Sequence, residues 1–523
     1  MPVAVAPIAQ RHGHPAILGC LALALSITAA SSAAHAWDPA QATPAFERAP
    51  CPAPVPARDR ATCGMVTTAI DPNDPTRGRL RLPVAVLHAW RPDPAPEPVL
   101  FLDGGPGDMT LGPTDDAEIM TFWMEHTRRL RRDRDVILFD GRGIGESWPS
   151  LECPEVEALA DDESIIPGDL AQARRRDAAA HLTCRARLRD GGIDLSLYAS
   201  PAMAADALAV ADALGVRAVD LWGVSYGSRV ALEMMRRAPE RVRAAVLDGV
   251  YPPTVAGMET DRARFRAALD QVFAGCRAQD ACATAFPDLE ATFHRTLARY
   301  GRTPYRYPMD RGPDLVVDDR VIVIALLLAL YDHEAIPHIP SLLHHLSRDN
   351  PDVLEALAAW PELLADDNAS EAVYIQLSCT EDWAMADPRR VKEDRRDHPW
   401  ADAAAMPLVD VLCVDWLDGQ AAAPWAVKRP VPVTADVPTL LLSGAFDPAT
   451  PPQWADEAMR TLPRAHHGVL KNGGHAATFG HACGEWAMLS FLRDPAAPPA
   501  RCLETTAGPL YRTAFPDLDY FWM

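Results

Sequence analysis

A serine lies between two glycines at Gly223-Val224-Ser225-Tyr226-Gly227. A G-x-S-x-G run does chemistry when a strand precedes it and a helix follows it. The turn is then too tight for side chains beside the serine and lifts its hydroxyl clear of the sheet. Ala218–Val224 reads as a strand, and Ser228–Arg237 reads as a helix that ends near Pro239. A serine hydroxyl is a weak nucleophile at neutral pH, so it needs a base to take its proton and an acid to hold that base. On such an elbow the acid and then the histidine follow the serine in the chain.

The C-terminal region supplies both. Thr439–Ser443 reads as a strand running into Gly444-Ala445-Phe446-Asp447-Pro448. Asp447 then falls past a strand's carboxyl end, where open sheets of this kind bind ligands. Its simpler reading is a turn-capping aspartate before proline. His467–Leu470 reads as the last strand, and the glycine pair of Lys471-Asn472-Gly473-Gly474-His475 makes a tight turn that can present His475 to Ser225. His481, at the start of the last helix, is the rival base; His466 and His467, at a strand start, read as surface residues. Acyl transfer also needs N–H donors for the tetrahedral oxyanion. Tyr226 supplies one. The loop Leu102-Asp103-Gly104-Gly105-Pro106-Gly107 supplies another, from Gly105 first and Gly104 second. The plainer reading of that loop is a Gly/Pro turn.

The elements that position these residues form a pattern. Leu80–Trp90, Val99–Leu102, Asp135–Phe139 and Ala244–Leu247 read as further strands, and Ala202–Leu214 as a helix capped by Gly215. Arg91–Pro98, with four prolines, is a loop. Short apolar strands alternating with helices predict an α/β fold with a mostly parallel sheet flanked by helices. The alternation stops between about Thr254 and Arg429 and resumes at Thr439. The interruption reads as a large, mainly helical cap. Its most apolar stretch, Val321–Tyr331, is a buried helix of about three turns, too short to span a membrane.

The chain has 523 residues, is 48% hydrophobic and carries a formal net charge of -21. A nucleic-acid binder needs a dense basic face, and none is visible. Arg128–Arg134, interrupted by Asp133, reads as a solvated helix end. Arg11, His12 and His14, the apolar run Ala16–Ala30 and the small residues Ala34-His35-Ala36 read as an export signal, with Trp37 starting the mature chain. Lipid attachment at Cys20 fits less well, because Cys20 precedes most of the apolar run. Eleven cysteines less Cys20 leave ten, an even number that suggests disulfides outside the cytoplasm. Sequence does not choose among their pairings. Pairing neighbours gives Cys51–Cys63, Cys153–Cys184, Cys276–Cys282, Cys379–Cys413 and Cys483–Cys502. No C-x-x-C, H-E-x-x-H or phosphate-binding loop occurs, so no metal or other cofactor is implied.

Taken together, Asp103–Gly107, Asp140–Ser147, Gly223–Ser228, Gly444–Pro452 and Gly473-Gly474-His475 resemble the proline iminopeptidase and tripeptidyl aminopeptidase branch of the α/β-hydrolases. Leu330-Tyr331 and Ser378-Cys379-Thr380-Glu381-Asp382-Trp383 look like cap segments of that branch, and the likeness runs from about Leu80 to Cys502. It is nearest the larger secreted members with a tripeptidyl-aminopeptidase-like C-terminal region. The resemblance implies an α/β-hydrolase fold in the order signal (1–36), core (37–253), cap (254–429) and core (430–523). Many relatives open the glycine loop with histidine where this chain has Asp103; the backbone donors survive that change and the histidine's contacts do not. In Asp140–Ser147, an arginine held in a glycine-rich turn can brace neighbouring loops.

The resemblance also implies peptide substrates with a free N-terminus. An ammonium group needs a carboxylate near the acyl pocket, and Glu381, with Asp382 second, is the candidate; the plainer reading is a solvated acidic pair. The expected activity is therefore a secreted serine exopeptidase, periplasmic or extracellular, acting through Ser225, Asp447 and His475. A carboxylesterase or amidase with the same triad, or a non-catalytic binding protein on the same scaffold, are the alternatives. An epoxide or halide hydrolase would need aspartate where this chain has Ser225. Residues removed per cut and oligomeric state stay open.

Overall fold

A computed structural model of the chain describes residues 43–515, apart from 53, 56–58, 113–116, 163–169, 309–314, 364–368, 405–406 and 419–430. The segment read as an export signal, 1–36, lies outside the described residues, as does Cys20. In chain order the strands are β1 (Ala45–Ala49), β2 (Ala61–Ala69), β3 (Arg79–Leu87), β4 (Val99–Leu102), β5 (Val136–Phe139), β6 (Val219–Val224), β7 (Val242–Asp248), β8 (Tyr305–Tyr307), β9 (Leu315–Val317), β10 (Thr439–Gly444) and β11 (Ala465–Leu470).

Nine of them form one sheet in the order β1-β2-β3-β5-β4-β6-β7-β10-β11. From β5 to β11 every neighbouring pair is parallel, whereas β1, β2, β3 and β5 pair antiparallel. Helices cover the parallel part, which explains the unbroken apolar runs. Val99-Leu100-Phe101-Leu102 and Val136-Ile137-Leu138-Phe139 are buried at every position, as strands covered on both faces must be. β2 has no counterpart among the strands expected from sequence, because its Thr, Cys and Gly residues give little hydropathy contrast.

Between β7 and β10 the chain leaves the sheet. Its described residues there form helices and the separate antiparallel pair β8–β9. Phe265, Phe273, Phe293, Leu326, Ile339 and Leu357 anchor a second apolar cluster, joined by Phe446 from beyond β10 and Tyr511 from the C-terminal segment. The expected buried helix is present as Asp319–Tyr331, capped by Asp318, whose carboxylate accepts from the N–H groups of Arg320 and Val321. No helix among the described residues is long and apolar enough to cross a membrane.

Five disulfides join sequence neighbours: Cys51–Cys63, Cys153–Cys184, Cys276–Cys282, Cys379–Cys413 and Cys483–Cys502. One local expectation is corrected. Arg131 and Arg134, read as part of a solvated helix end, are buried. Arg131 donates to Asp59 at 2.5 Å, and Arg134 donates to the carbonyls of Glu97 at 2.8 Å and Leu492 at 3.0 Å. Burial of a guanidinium is tolerable here because these acceptors satisfy it.

Candidate active site

The strand order brings the loops after β4, β6, β10 and β11 to one edge of the sheet. Ser225 follows β6 directly, with φ 54° and ψ -122°, a strained conformation for a residue with a side chain. The strain is held by packing. A Cβ on Gly227 would lie 2.0 Å from the carbonyl oxygen of Leu102, so only glycine lets the helix Tyr226–Arg237 approach β4 this closely. The Ser225 N–H donates to the carbonyl of Asp248, at the end of β7, at 2.8 Å.

β4 lies beside β6 with Leu102 opposite Gly223, which sets the glycine loop alongside the elbow. The Cβ of Ser225 is 3.2 Å from where a Cβ on Gly104 would be. The Gly104 N–H donates to the Oδ1 of Asp103 at 2.8 Å, and Thr110 donates to the Oδ2 of the same residue at 3.0 Å. Gly105 has φ +94°, in the region that favours glycine, and is exposed. Asp103 thus keeps its loop in shape through its own side chain.

Asp447 lies in the turn after β10 and His475 in the turn after β11. Their Oδ2 and Nδ1 atoms are 2.8 Å apart. Asp447 also accepts from the Ala449 and Thr450 N–H groups at 2.8 and 2.9 Å and from the Thr450 hydroxyl at 2.7 Å. Burial by itself would raise the Asp447 pKa, but the His475 charge and these donors outweigh it and lower it. For His475 burial acts downward, and the Asp447 charge and hydrogen bond outweigh it, so its pKa is raised. With Nδ1–H donating to the carboxylate, the neutral imidazole keeps Nε2 as its acceptor nitrogen.

The helical insertion reaches this edge. The His475 N–H donates to the Tyr331 carbonyl at 2.8 Å, and the Tyr331 ring lies 4.7 Å from the imidazole. The Ser370 N–H donates to the Gly107 carbonyl at 2.9 Å. Glu381 and Asp382 lie in a single π-helical turn, Ser378–Trp383. Glu381 accepts from the Ser200 N–H at 2.6 Å, the Tyr226 hydroxyl at 2.8 Å and Arg229 at 3.2 Å. Asp382 accepts from the Tyr251 hydroxyl at 2.5 Å and the Gly257 N–H at 3.2 Å. Arg229 is buried, with its guanidinium 4.0 Å from the Tyr251 ring centroid. Glu381 and Asp382 are therefore an inward, partnered pair and not a solvated one.

The other histidines lie apart from this hydrogen-bonded pair. His481 caps the helix Ala482–Arg493, its Nδ1 accepting from the Gly484 N–H at 3.3 Å. Burial, with the neighbouring His333, lowers its pKa to about 4. His466 is exposed, whereas His467 is half-buried between Asp456 at 2.8 Å and Ser443 at 3.1 Å. Sequence reasoning did not single out Thr450, Tyr331 as a packing partner of His475, or Arg229. Thr450 stands three residues after Asp447, at turn-capping distance, and was the most findable of the three. Among the described residues the only metal-ligand cluster is Cys153, Glu155 and Cys184, whose two cysteines are joined in a disulfide.

An open, mostly parallel sheet with a strand–serine–helix elbow, followed by an aspartate and a histidine past its last two strands, defines a class. The chain belongs to the α/β-hydrolase fold family, which matches residues 97–482. It is similar to serine protease Hip1 of Mycobacterium tuberculosis, with 24% identity over 432 residues, 76% of this chain and 79% of that protein. It is similar to the tripeptidyl aminopeptidase of Streptomyces lividans, with 25% identity over 424 residues, 76% of this chain and 74% of the relative. Carboxylesterase B of Mycobacterium tuberculosis is 25% identical over 473 residues, 84% of this chain and 86% of the relative. The first two similarities support a serine hydrolase of peptidase type.

Proposed function

We propose that the protein is an exported serine exopeptidase that removes residues from free peptide N-termini. Ser225 attacks the scissile carbonyl, and His475 takes its proton and passes it to the leaving amine. Asp447 orients the imidazole and stabilises its charged form. Water then clears the acyl-enzyme by the same route. The N–H groups of Tyr226 and Gly105 receive the oxyanion; Gly104 is the weaker candidate because its N–H already donates to Asp103. The observation that carries this reading is the 2.8 Å hydrogen bond between Asp447 and His475 at the sheet edge that also bears Ser225.

Residues 254–429 serve in this reading as the cap over the site. Glu381 and Asp382 hold the substrate's ammonium group. The two carboxylates face the buried guanidinium of Arg229. Five disulfides fit an exported protein, periplasmic or extracellular. No cofactor enters the mechanism.

The test is release of p-nitroaniline from Pro-, Ala- and Ala-Ala-Pro-anilides, each with a free and an acetylated N-terminus, beside a p-nitrophenyl ester. Cleavage of the free peptides alone, lost in Ser225→Ala, is expected, and peptide length gives the number of residues removed. Ester cleavage without peptide cleavage would replace the exopeptidase by a carboxylesterase, the second reading that similarity to carboxylesterase B favours. Activity that survives Ser225→Ala would overturn both.

A further inference from the structure

Asp248 is the last residue of β7, paired with Val224 at the end of β6 on one side and Leu442 of β10 on the other. It therefore stands between the strand that carries Ser225 and the strand that leads to Asp447. Its backbone carbonyl accepts the Ser225 N–H at 2.8 Å. Its Oδ2 accepts from both the N–H and the hydroxyl of Thr478, at 2.5 and 2.6 Å. Thr478 is three residues past His475, and its hydroxyl in turn accepts from the Trp222 indole N–H at 3.0 Å. The next residue, Gly249, lies under the imidazole, since a Cβ there would be 3.1 Å from the His475 Cε1.

The side chain of Asp248 is completely buried, with the Thr478 donors and the Ala477 N–H directed at it. Burying a carboxylate is expensive even when donors meet it, and an apolar residue at this strand end would favour folding more. The charge needs a reason beyond stability, and the cation that forms next to it supplies one. Asp447, Asp248 and Asp108 all favour the charged imidazole of His475, while burial opposes it. Burial also raises the pKa of Asp248 itself, against the Thr478 donors and the His475 charge.

We propose that Asp248 is a positioning residue for the base: it ties the loop carrying His475 to the elbow carrying Ser225 and adds a second negative charge beside the imidazolium. It exchanges no proton. The proton leaves Ser225 Oγ for His475 Nε2. This role rests on the reading of Ser225, Asp447 and His475 as the triad.

The experiment is the labelling rate of the full chain by a fluorophosphonate, followed against pH. The serine Oγ–phosphorus bond forms, fluoride leaves and His475 receives the serine proton, so the rate reports the serine and its base without any peptide pocket. Asp248→Asn keeps an acceptor for Thr478 but removes the charge. It is expected to label about tenfold slower at the plateau, with its acid limb moved to lower pH because the imidazolium has lost a counter-charge. An acid limb unmoved from wild type, with only the melting temperature lowered, would mean a purely structural aspartate and overturns the proposal. If Asp248→Asn does not fold, Thr478→Val carries the test. It removes the hydroxyl donor to the carboxylate and is expected to slow labelling by a similar factor, and a wild-type rate would overturn the proposal. Ser225→Ala run in parallel separates the two ideas, because labelling that persists there refutes the triad itself.

Discussion

The hydroxyl of Tyr226 donates to the carboxylate of Glu381 at 2.8 Å. One partner follows the proposed nucleophile directly, and the other belongs to the helical insertion 155 positions further along the chain. The residue whose N–H is to hold the oxyanion is thereby fastened through its ring to the insertion. Glu381 is pinned in turn by the Ser200 N–H and by Arg229, and its neighbour Cys379 is joined to Cys413. In the proposed mechanism, substrate recognition and oxyanion geometry thus share one carboxylate.

Glu381→Ala is expected to act on both. It leaves buried Arg229 with Asp382 at 4.0 Å as its other carboxylate, and breaking a buried pair in this way costs roughly 3 kcal/mol of stability. Urea denaturation reads that loss. In steady-state kinetics on free-amino anilides, a kcat loss as well as a rise in KM is expected. A variant of wild-type stability with only KM raised would make Glu381 a pure substrate ligand.

The acid limb of the pH profile follows from the Asp447–His475 pair. The proposed base, His475, must be neutral to accept a proton, and its pKa is raised above the ordinary 6.5. Activity should therefore rise with pH through a limb above 6.5. Asp447→Asn is expected to move that limb down and to lower kcat about ten-thousand-fold. Folding responds with opposite signs. The His475 contribution is complete below its unfolded pKa of 6.5 and fades as pH rises through the higher folded value. The Asp447 contribution is complete above 3.8 and fades as pH falls through the lower folded value. Melting curves of Asp447→Asn should lack both slopes.

Asp140 should reveal itself by the reverse substitution. Burial pushes its pKa to about 7, with the Asp103 and Glu146 charges acting the same way and the Leu111 and Thr110 N–H groups opposing. The native state then binds a proton that the unfolded chain has released, so stability contributed here falls as pH rises from 3.8 towards 7. Asparagine keeps an acceptor for the Leu111 N–H, which Asp140 meets at 2.9 Å, and carries no charge. The melting temperature of Asp140→Asn relative to wild type should climb between about pH 4 and about pH 7 and level off above that. A flat difference would mean that Asp140 is ionised across that range.

These cases also mark what a sequence discloses. β4 and β5 are legible because strands covered on both faces read as unbroken apolar runs, and β6, β7 and β10 because apolar residues dominate them despite Asp220, Arg243, Asp248, Thr439 and Ser443. The elbow, Asp447 and His475 are legible because each lies beside a strand end with its own glycine or proline signal. β2 is not, since half-apolar threonine-rich segments look like loops. The partners of Asp248, Glu381 and Arg131 are not legible either. They lie 230, 155 and 72 positions away, and only the folded sheet brings them together. Arg131 looks solvated in a run of arginines because nothing local announces that Asp59 will cover it.

Arg142 carries the sharpest stability prediction. It sits in the glycine-rich turn after β5 and meets Asp206 through Nε at 2.8 Å and Nη2 at 2.6 Å. Its remaining donors reach the carbonyls of Ile70 at 3.2 Å, Leu197 at 2.5 Å and Ala202 at 3.4 Å. One side chain thus fastens the turn to the end of β2 and to the helix Ser200–Ala213. Both partners are buried, so removing either leaves a charge uncompensated, and Arg142→Ala or Asp206→Ala should cost about 3–5 kcal/mol. Lysine should not rescue, because an ammonium on a flexible stem cannot reproduce the planar fork that reaches acceptors on four residues. Arg142→Ala with Asp206→Ala removes both charges together and should lose far less than the sum of the two single losses in a urea double-mutant cycle. If the single losses simply add, the two residues do not act as a pair, and the turn is held by its backbone.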